Sequence, residues 1–267
     1  MIITDKNSAD KGKTAIRIDN LTVKYGEILA LENIFLDIKE KEYLGIIGPN
    51  GSGKTTLLRA ILGLVKTFSG HVEIYGKRPG HTGKLIGYVP QITGLNRMFP
   101  ITVKDVVVMG KLKSRISLFH KYKNEDMNLA NELLAKVGIY DLRDRLVSEL
   151  SGGQFQKMLI ARALAINPKI LLLDEPTASV DVTSKNQIFN ILEELSAEMT
   201  IILVTHDLLA ISTYVHSLAC LNIRLVYHGK TEIDEQVIDQ LYGCGCPVDL
   251  LAHGVPHRVL REHGEEE

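Results

Sequence analysis

Gly48-Pro49-Asn50-Gly51-Ser52-Gly53-Lys54-Thr55 decides how this sequence is read. It fits G-x-x-x-x-G-K-[ST] at every fixed position. It also lies where that pattern has a mechanism, between an apolar run over residues 43–47 and a helical pattern from residue 54 to about 62. A strand, a glycine loop and a helix let backbone N–H groups curl towards a β-phosphate with the positive end of the helix behind them. On this reading Gly48, Pro49, Asn50, Gly51, Ser52, Gly53, Lys54, Thr55 and Thr56 bind ATP. Lys54 reaches the β- and γ-phosphates, and the Thr55 hydroxyl holds Mg²⁺. A glycine-rich turn before a helix would explain the local shape alone.

On either side of the loop, residues 15–23 alternate as a strand does, and residues 34–38 repeat the pattern. Residues 72–75, 85–89, 170–173, 201–204 and 218–221 are short apolar runs, most without alternation, which predicts strands covered on both faces. Between residues 98 and 150 the period becomes helical, as in an insertion, and helices are expected again over 153–165 and 183–195. Strands alternating with helices predict an α/β fold with a mostly parallel sheet.

Composition narrows the function classes. The chain has 267 residues, 45% of them hydrophobic and 24% charged, which suits one large α/β domain or a domain carrying an insertion. A formal charge of −1 supplies no general field for a polyanion, so no nucleic-acid partner is expected. Cys220, Cys244 and Cys246 are too few for a disulfide framework, which points to a reducing compartment. The first residues do not read as a secretory signal, and no apolar stretch is long enough to span a membrane as a helix. Work at a membrane would therefore need a spanning partner.

Two further stretches carry chemistry. Residues 170–175, Ile-Leu-Leu-Leu-Asp-Glu, form an apolar strand that ends in two carboxylates, at the place where open α/β sheets bind ligands. Asp174 would hold Mg²⁺ through water and Glu175 would take the proton of the attacking water; alone, the pair could also cap a helix before Pro176. Leu150-Ser151-Gly152-Gly153-Gln154 opens a helix, with Ser151 as N-cap and two glycines leaving N–H groups bare for an anion.

With these five residues in full, and with the order and spacing of the rest, the sequence resembles the ATP-binding subunit of an ABC transporter from residue 16 to about 226. The resemblance implies a P-loop NTPase core with a mostly parallel sheet, an N-terminal antiparallel β part and a helical subdomain. It divides the chain into a polar leader (1–14), an ATPase domain (15–230, with the helical subdomain at about 98–150) and a C-terminal extension (231–267). It implies that Tyr25 stacks on adenine, that Gln91 touches Mg²⁺ and the water, and that Ser179 and Asp181 belong to a segment crossing a dimer. His206 would contact the γ-phosphate, completing a catalytic set of Glu175, His206, Lys54 and Gln91 with Thr55, Gln91 and Asp174 around Mg²⁺.

Further implications concern partners. Two copies, or one copy and a paralogue, would enclose two ATP molecules, each signature sequence closing over the other subunit's nucleotide. Residues 98–150 would dock on an integral permease, which places the chain peripherally at the cytoplasmic face of the cell membrane. Residues 99–110 and 246–260 are similar to the zinc and manganese importer branch, which also implies an extracytoplasmic metal-binding protein. Cys244, Cys246, His253 and His257 form a C-x-C, H-x-x-x-H arrangement whose donors suit Zn²⁺, although the C-x-C spacing is tighter than in common structural zinc sites. The sequence departs from the family at Phe155-Gln156-Lys157, where a basic residue commonly follows the glutamine, and at Val180, where leucine is common. Two other readings remain: a soluble ABC ATPase of translation or repair, and a regulatory module that binds ATP without hydrolysing it. Glu175 argues against the second, since binding alone needs no base.

Overall fold

Two sheets arise from two kinds of strand. In a computed structural model describing residues 3–4, 13–82, 84–91, 99–111, 122–178, 180–206 and 213–231, the long alternating strands β2 (Thr14–Tyr25) and β3 (Ile28–Lys39) join β5 (Ser69–Ile74) in an antiparallel sheet ordered β3-β2-β5. The short apolar strands β4 (Tyr43–Ile47), β6 (Ile86–Val89), β7 (Ile170–Asp174) and β8 (Thr200–Val204) join β9 (Ser217–Asn222), β10 (Arg224–Gly229) and β1 (Ile3–Thr4). Their order is β1-β10-β9-β4-β8-β7-β6, parallel from β9 to β6, with β10 antiparallel to β9.

Every residue of β4, β7 and β8 is buried, because the large sheet is covered on both faces. Leu171, Leu173, Ile201 and Leu203 belong to a core shared with helices α2 (Val103–Met109), α3 (Asn124–Lys136), α4 (Gly152–Leu164) and α5 (Val182–Ser196). Their neighbours Ile170, Leu172, Ile202 and Val204 enter a second core with the antiparallel sheet and α1 (Lys54–Leu62). Period-two alternation thus persists geometrically while both faces stay apolar, which is why these runs show no polar face in sequence.

The elements agree with the sequence reading to within a few residues, apart from β1, β3 and β10. β3 starts at Ile28 rather than near residue 34, because register shifts on either side of Leu21, with Asn20 and Asn33 at positive φ, break the alternation that marks a strand. β10 has only Leu225 and Tyr227 buried, too weak a pattern to read. Within the polar leader, Ile3–Thr4 pair in parallel with Tyr227 and His228. Among the described residues no helix is long and apolar enough to cross a membrane.

Candidate nucleotide site

Three adjacent strands, β4, β8 and β7, end at the same edge of the large sheet, and each delivers part of the site. β4 runs into residues 48–53, β7 ends in Asp174 and Glu175, and β8 leads to Thr205 and His206. This is the carboxyl edge of an open parallel sheet, where the connections leave a crevice.

The glycine loop is pressed between two backbones. A Cβ at Gly48 (φ +155°) would stand 2.0 Å from Leu221 O, and one at Gly53 (φ +97°) would stand 2.5 Å from Ala30 O. The loop is further fixed from β9–β10, where the N–H of Ile223 donates to Ser52 O at 2.9 Å. Ile223 holds φ 59°, a strained value for a β-branched residue. Lys54, 7% exposed, folds its ammonium back onto the loop, donating to Gly48 O and Pro49 O at 2.8 Å each. Burial pulls its pKa below the usual lysine range, against the charges of Glu175 and Asp174.

Thr55, second residue of α1, donates its hydroxyl to Asp174 Oδ1 at 3.3 Å, joining the start of the helix to β7. Burial pushes the Asp174 carboxyl above the usual aspartate range; the Thr55 hydrogen bond opposes this and the neighbouring charge of Glu175 adds to it. Arg59, one turn beyond Thr55 on α1, also draws the Asp174 pKa down. The i, i+4 spacing from Thr55 was the available signal for Arg59, which the sequence reading passed over.

Glu175 has φ 47°, rare for a residue other than glycine, and its N–H donates to Val204 O at 2.9 Å. Its Oε2 accepts from Gln91 Nε2 at 2.9 Å and lies 3.8 Å from His206 Nδ1. Gln91, Glu175 and His206, which are 84 and 31 positions apart in the chain, therefore meet at one oxygen. Glu175 and Asp174 do not cap a helix: α5 begins at Val182 with Asp181 as its cap, accepting from Ser184 N at 2.9 Å. Tyr25 ends β2 and is 44% exposed.

The remaining sequence-predicted residues form a separate group. Leu150 precedes α4, and Ser151 caps it through a reciprocal pair, Gln154 N to Ser151 Oγ at 3.3 Å and Ser151 N to Gln154 Oε1 at 3.0 Å. Gly152 and Gly153 form the first turn, and Gly153 packs against Ser184 near Asp181. Among the described residues no hydrogen bond or ion pair joins this group to the loop, Asp174 or Glu175. Ser179 lies outside the described residues, as do Cys244, Cys246, His253 and His257. Among the described residues no three His, Cys, Asp or Glu side chains cluster as a metal site.

A buried lysine on a phosphate-type loop, an aspartate bonded to the loop threonine and a glutamate in hydrogen-bond contact beside them define a nucleotide-binding P-loop ATPase. The comparisons then place it more narrowly. Residues 20–178 match the family model described as ABC transporter. The chain is 41% identical to the manganese transport system ATP-binding protein MntB of Bacillus subtilis, over 81% of this chain and 87% of that protein. It is 40% identical to the zinc uptake system ATP-binding protein ZurA of Listeria innocua, over 80% and 85%. Among solved structures it resembles the dimeric post-hydrolysis state of the ATP-binding cassette MJ0796 bound to ADP and Pi, with a TM-score of 0.65, 30% identity, and coverage of 80% of this chain and 98% of that one. The chain belongs to the ABC transporter family, as an ATP-binding and ATP-hydrolysing subunit.

Proposed function

We propose that this subunit, at the cytoplasmic face of the membrane, powers a membrane permease that imports a divalent metal ion, zinc or manganese. The observation that carries the ATPase part is the meeting of Gln91, Glu175 and His206 at Glu175 Oε2, beside the Thr55–Asp174 pair. The cargo follows from the manganese and zinc systems of its relatives.

In this reading Lys54 exchanges the carbonyls of Gly48 and Pro49 for phosphate oxygens, while N–H groups of residues 50–56 surround the β-phosphate and Tyr25 stacks on the base. Thr55 and Asp174 fit Mg²⁺: both present hard oxygens, they lie 3.3 Å apart, and the buried carboxylate makes no salt bridge among the described residues. Gln91 would complete the ligands, and the ion supplies charge neutralisation at the β- and γ-phosphates. Glu175 accepts the proton of the attacking water, Gln91 orients that water, and His206 contacts the γ-phosphate.

Among the described residues Leu150 to Gln154 are not joined to this chemistry, which supports a dimer in which α4 of each copy, together with the crossing segment that holds Ser179 and Asp181, closes on the other copy's nucleotide. The γ-phosphate bridges the copies, so hydrolysis releases them. The partner copy is an identical chain or a paralogue. The ATPase domain occupies residues 15–230, and its helical subdomain, about 98–150, docks on the permease; an extracytoplasmic protein delivers the metal. Residues 231–267 form an extension in which Cys244, Cys246, His253 and His257 are a second, zinc-binding hypothesis.

Uptake of radiolabelled zinc and manganese by cells carrying the wild-type chain or Glu175→Gln in its place tests the cargo. Loss of uptake of one of the two ions is expected. Unchanged uptake of both, with ATP hydrolysis lost in the purified variant, would remove the metal-import reading and leave the ATPase standing.

A further inference from the structure

Lys157 is a largely buried cation held by a neutral amide. It lies on α4, 9% exposed, and its ammonium donates to Gln187 Oε1 on α5 at 2.7 Å; no carboxylate within ion-pair distance is found for it among the described residues. Burial pulls its pKa below the usual lysine range. A methionine would fill the same space without burying charge, so local stability gives no reason for a lysine here.

The neighbouring contact suggests the reason. A Cβ on Gly153 would stand 2.4 Å from Ser184 Cβ, so the first turn of α4 rests directly on the first turn of α5. Gly153 and Lys157 are four apart on α4, and Ser184 and Gln187 are three apart on α5, so each pair lies on one helix face and the helices are joined by two successive rungs. A cavity of about 330 Å³ opens beside the second rung, lined in part by Ser151, Gln154, Lys157, Ser184 and Gln187. The hydrogen bond joins the two helices at the edge of that cavity.

We propose that the Lys157–Gln187 bond is a positioning crosspiece that fixes the start of α4 relative to α5, so that Ser151 and Asp181 approach a partner's nucleotide as one unit. The inference rests on the reading above, in which those two helix starts face the second copy. Without the crosspiece the two starts pivot about the Gly153–Ser184 contact. Each copy still binds nucleotide at its own loop, and the concerted closure suffers.

The test measures steady-state hydrolysis against ATP concentration, alongside nucleotide affinity under conditions where the copies stay apart. Lys157→Met and Gln187→Met should each raise the ATP concentration at half-maximal rate by about three- to tenfold, the scale of one lost charged hydrogen bond partly relayed, and should lower the Hill coefficient towards one. Nucleotide affinity of the separate copies should not change, the double variant should be no worse than either single one, and Lys157→Arg should behave as wild type. Normal cooperativity in Gln187→Met, or additive losses in the double variant, would overturn the crosspiece. So would a drop in thermal stability with an unchanged Hill coefficient, which is the mark of packing alone. Ser151→Arg in the same assay separates the two levels: if hydrolysis and cooperativity survive it, the reading of α4 as a surface for the partner's nucleotide fails, whatever Lys157 does.

Discussion

Replacing Lys54 with methionine separates what this residue does for the fold from what it does for the nucleotide. The ammonium donates to Gly48 O and Pro49 O, both at 2.8 Å, and each charged hydrogen bond is worth about 1.5–3 kcal/mol. Against that loss stands the recovered cost of burying the charge, which the lowered pKa reveals. Asp174 and Glu175 also lose a nearby cation, which partly cancels the recovery. The opposing effects leave a net loss of about 1 kcal/mol without ligand, or about 2–4 °C in melting temperature for a chain of this size. With nucleotide the effect is larger, since no other side chain takes over the contacts to the phosphates. Losing about 3 kcal/mol there weakens binding roughly a hundredfold. At a nucleotide concentration about a thousandfold above the wild-type Kd, the ligand stabilises wild type by about 4.1 kcal/mol and Lys54→Met by about 1.4 kcal/mol. Thermal melts with and without a non-hydrolysable magnesium nucleotide measure both quantities. The expected result is a small change in the ligand-free melt and a ligand-induced shift cut to about a third. An undiminished ligand-induced shift would refute the placement of Lys54 on the phosphates.

Two further substitutions probe the same edge of the sheet. Because burial raises the Asp174 pKa above 3.8, ionising it in the folded chain is penalised: its relative stabilisation is complete below pH 3.8 and is lost as pH rises through the raised value. Asp174→Asn should therefore melt above wild type at pH 7 without ligand, with the gap narrowing as pH is lowered towards 3.8, and should lose the magnesium dependence of ATP binding; a lower melt at pH 7 would contradict the penalty. Gly53→Ala puts a Cβ 2.5 Å from Ala30 O at φ +97°, which should cost about 3 kcal/mol and, by melting, about 6–12 °C, together with ATP binding. A melt and affinity like those of wild type would show that the loop yields more easily than its packing implies.

What the sequence disclosed follows from which signals are local. The strand–loop–helix at residues 43–62 and the carboxylates ending β7 were legible because each motif lies within one connection of the chain. The capped start of α4 was legible for the same reason: Ser151 and Gln154 satisfy each other three residues apart. Gln91 and His206 entered the site only through family resemblance, and their meeting on Glu175 was not foreseen at all, since nothing in the spacing of three residues on separate strand ends dictates that they touch. The positive φ of Glu175 and Ile223 had no sequence signal, because neither residue type favours that conformation. The pairing of Lys157 with Gln187 was hidden for a related reason. It depends on how two helices from different parts of the chain cross.

The central claim is that Glu175 removes the proton from the water that attacks ATP. Pre-steady-state and steady-state hydrolysis by purified Glu175→Gln, measured with ATP affinity and with the oligomeric state in magnesium ATP, tests it most directly. Binding within about threefold of wild type, turnover lower by about a hundredfold or more and a dimer that persists in ATP are expected. Turnover equal to wild type would contradict it.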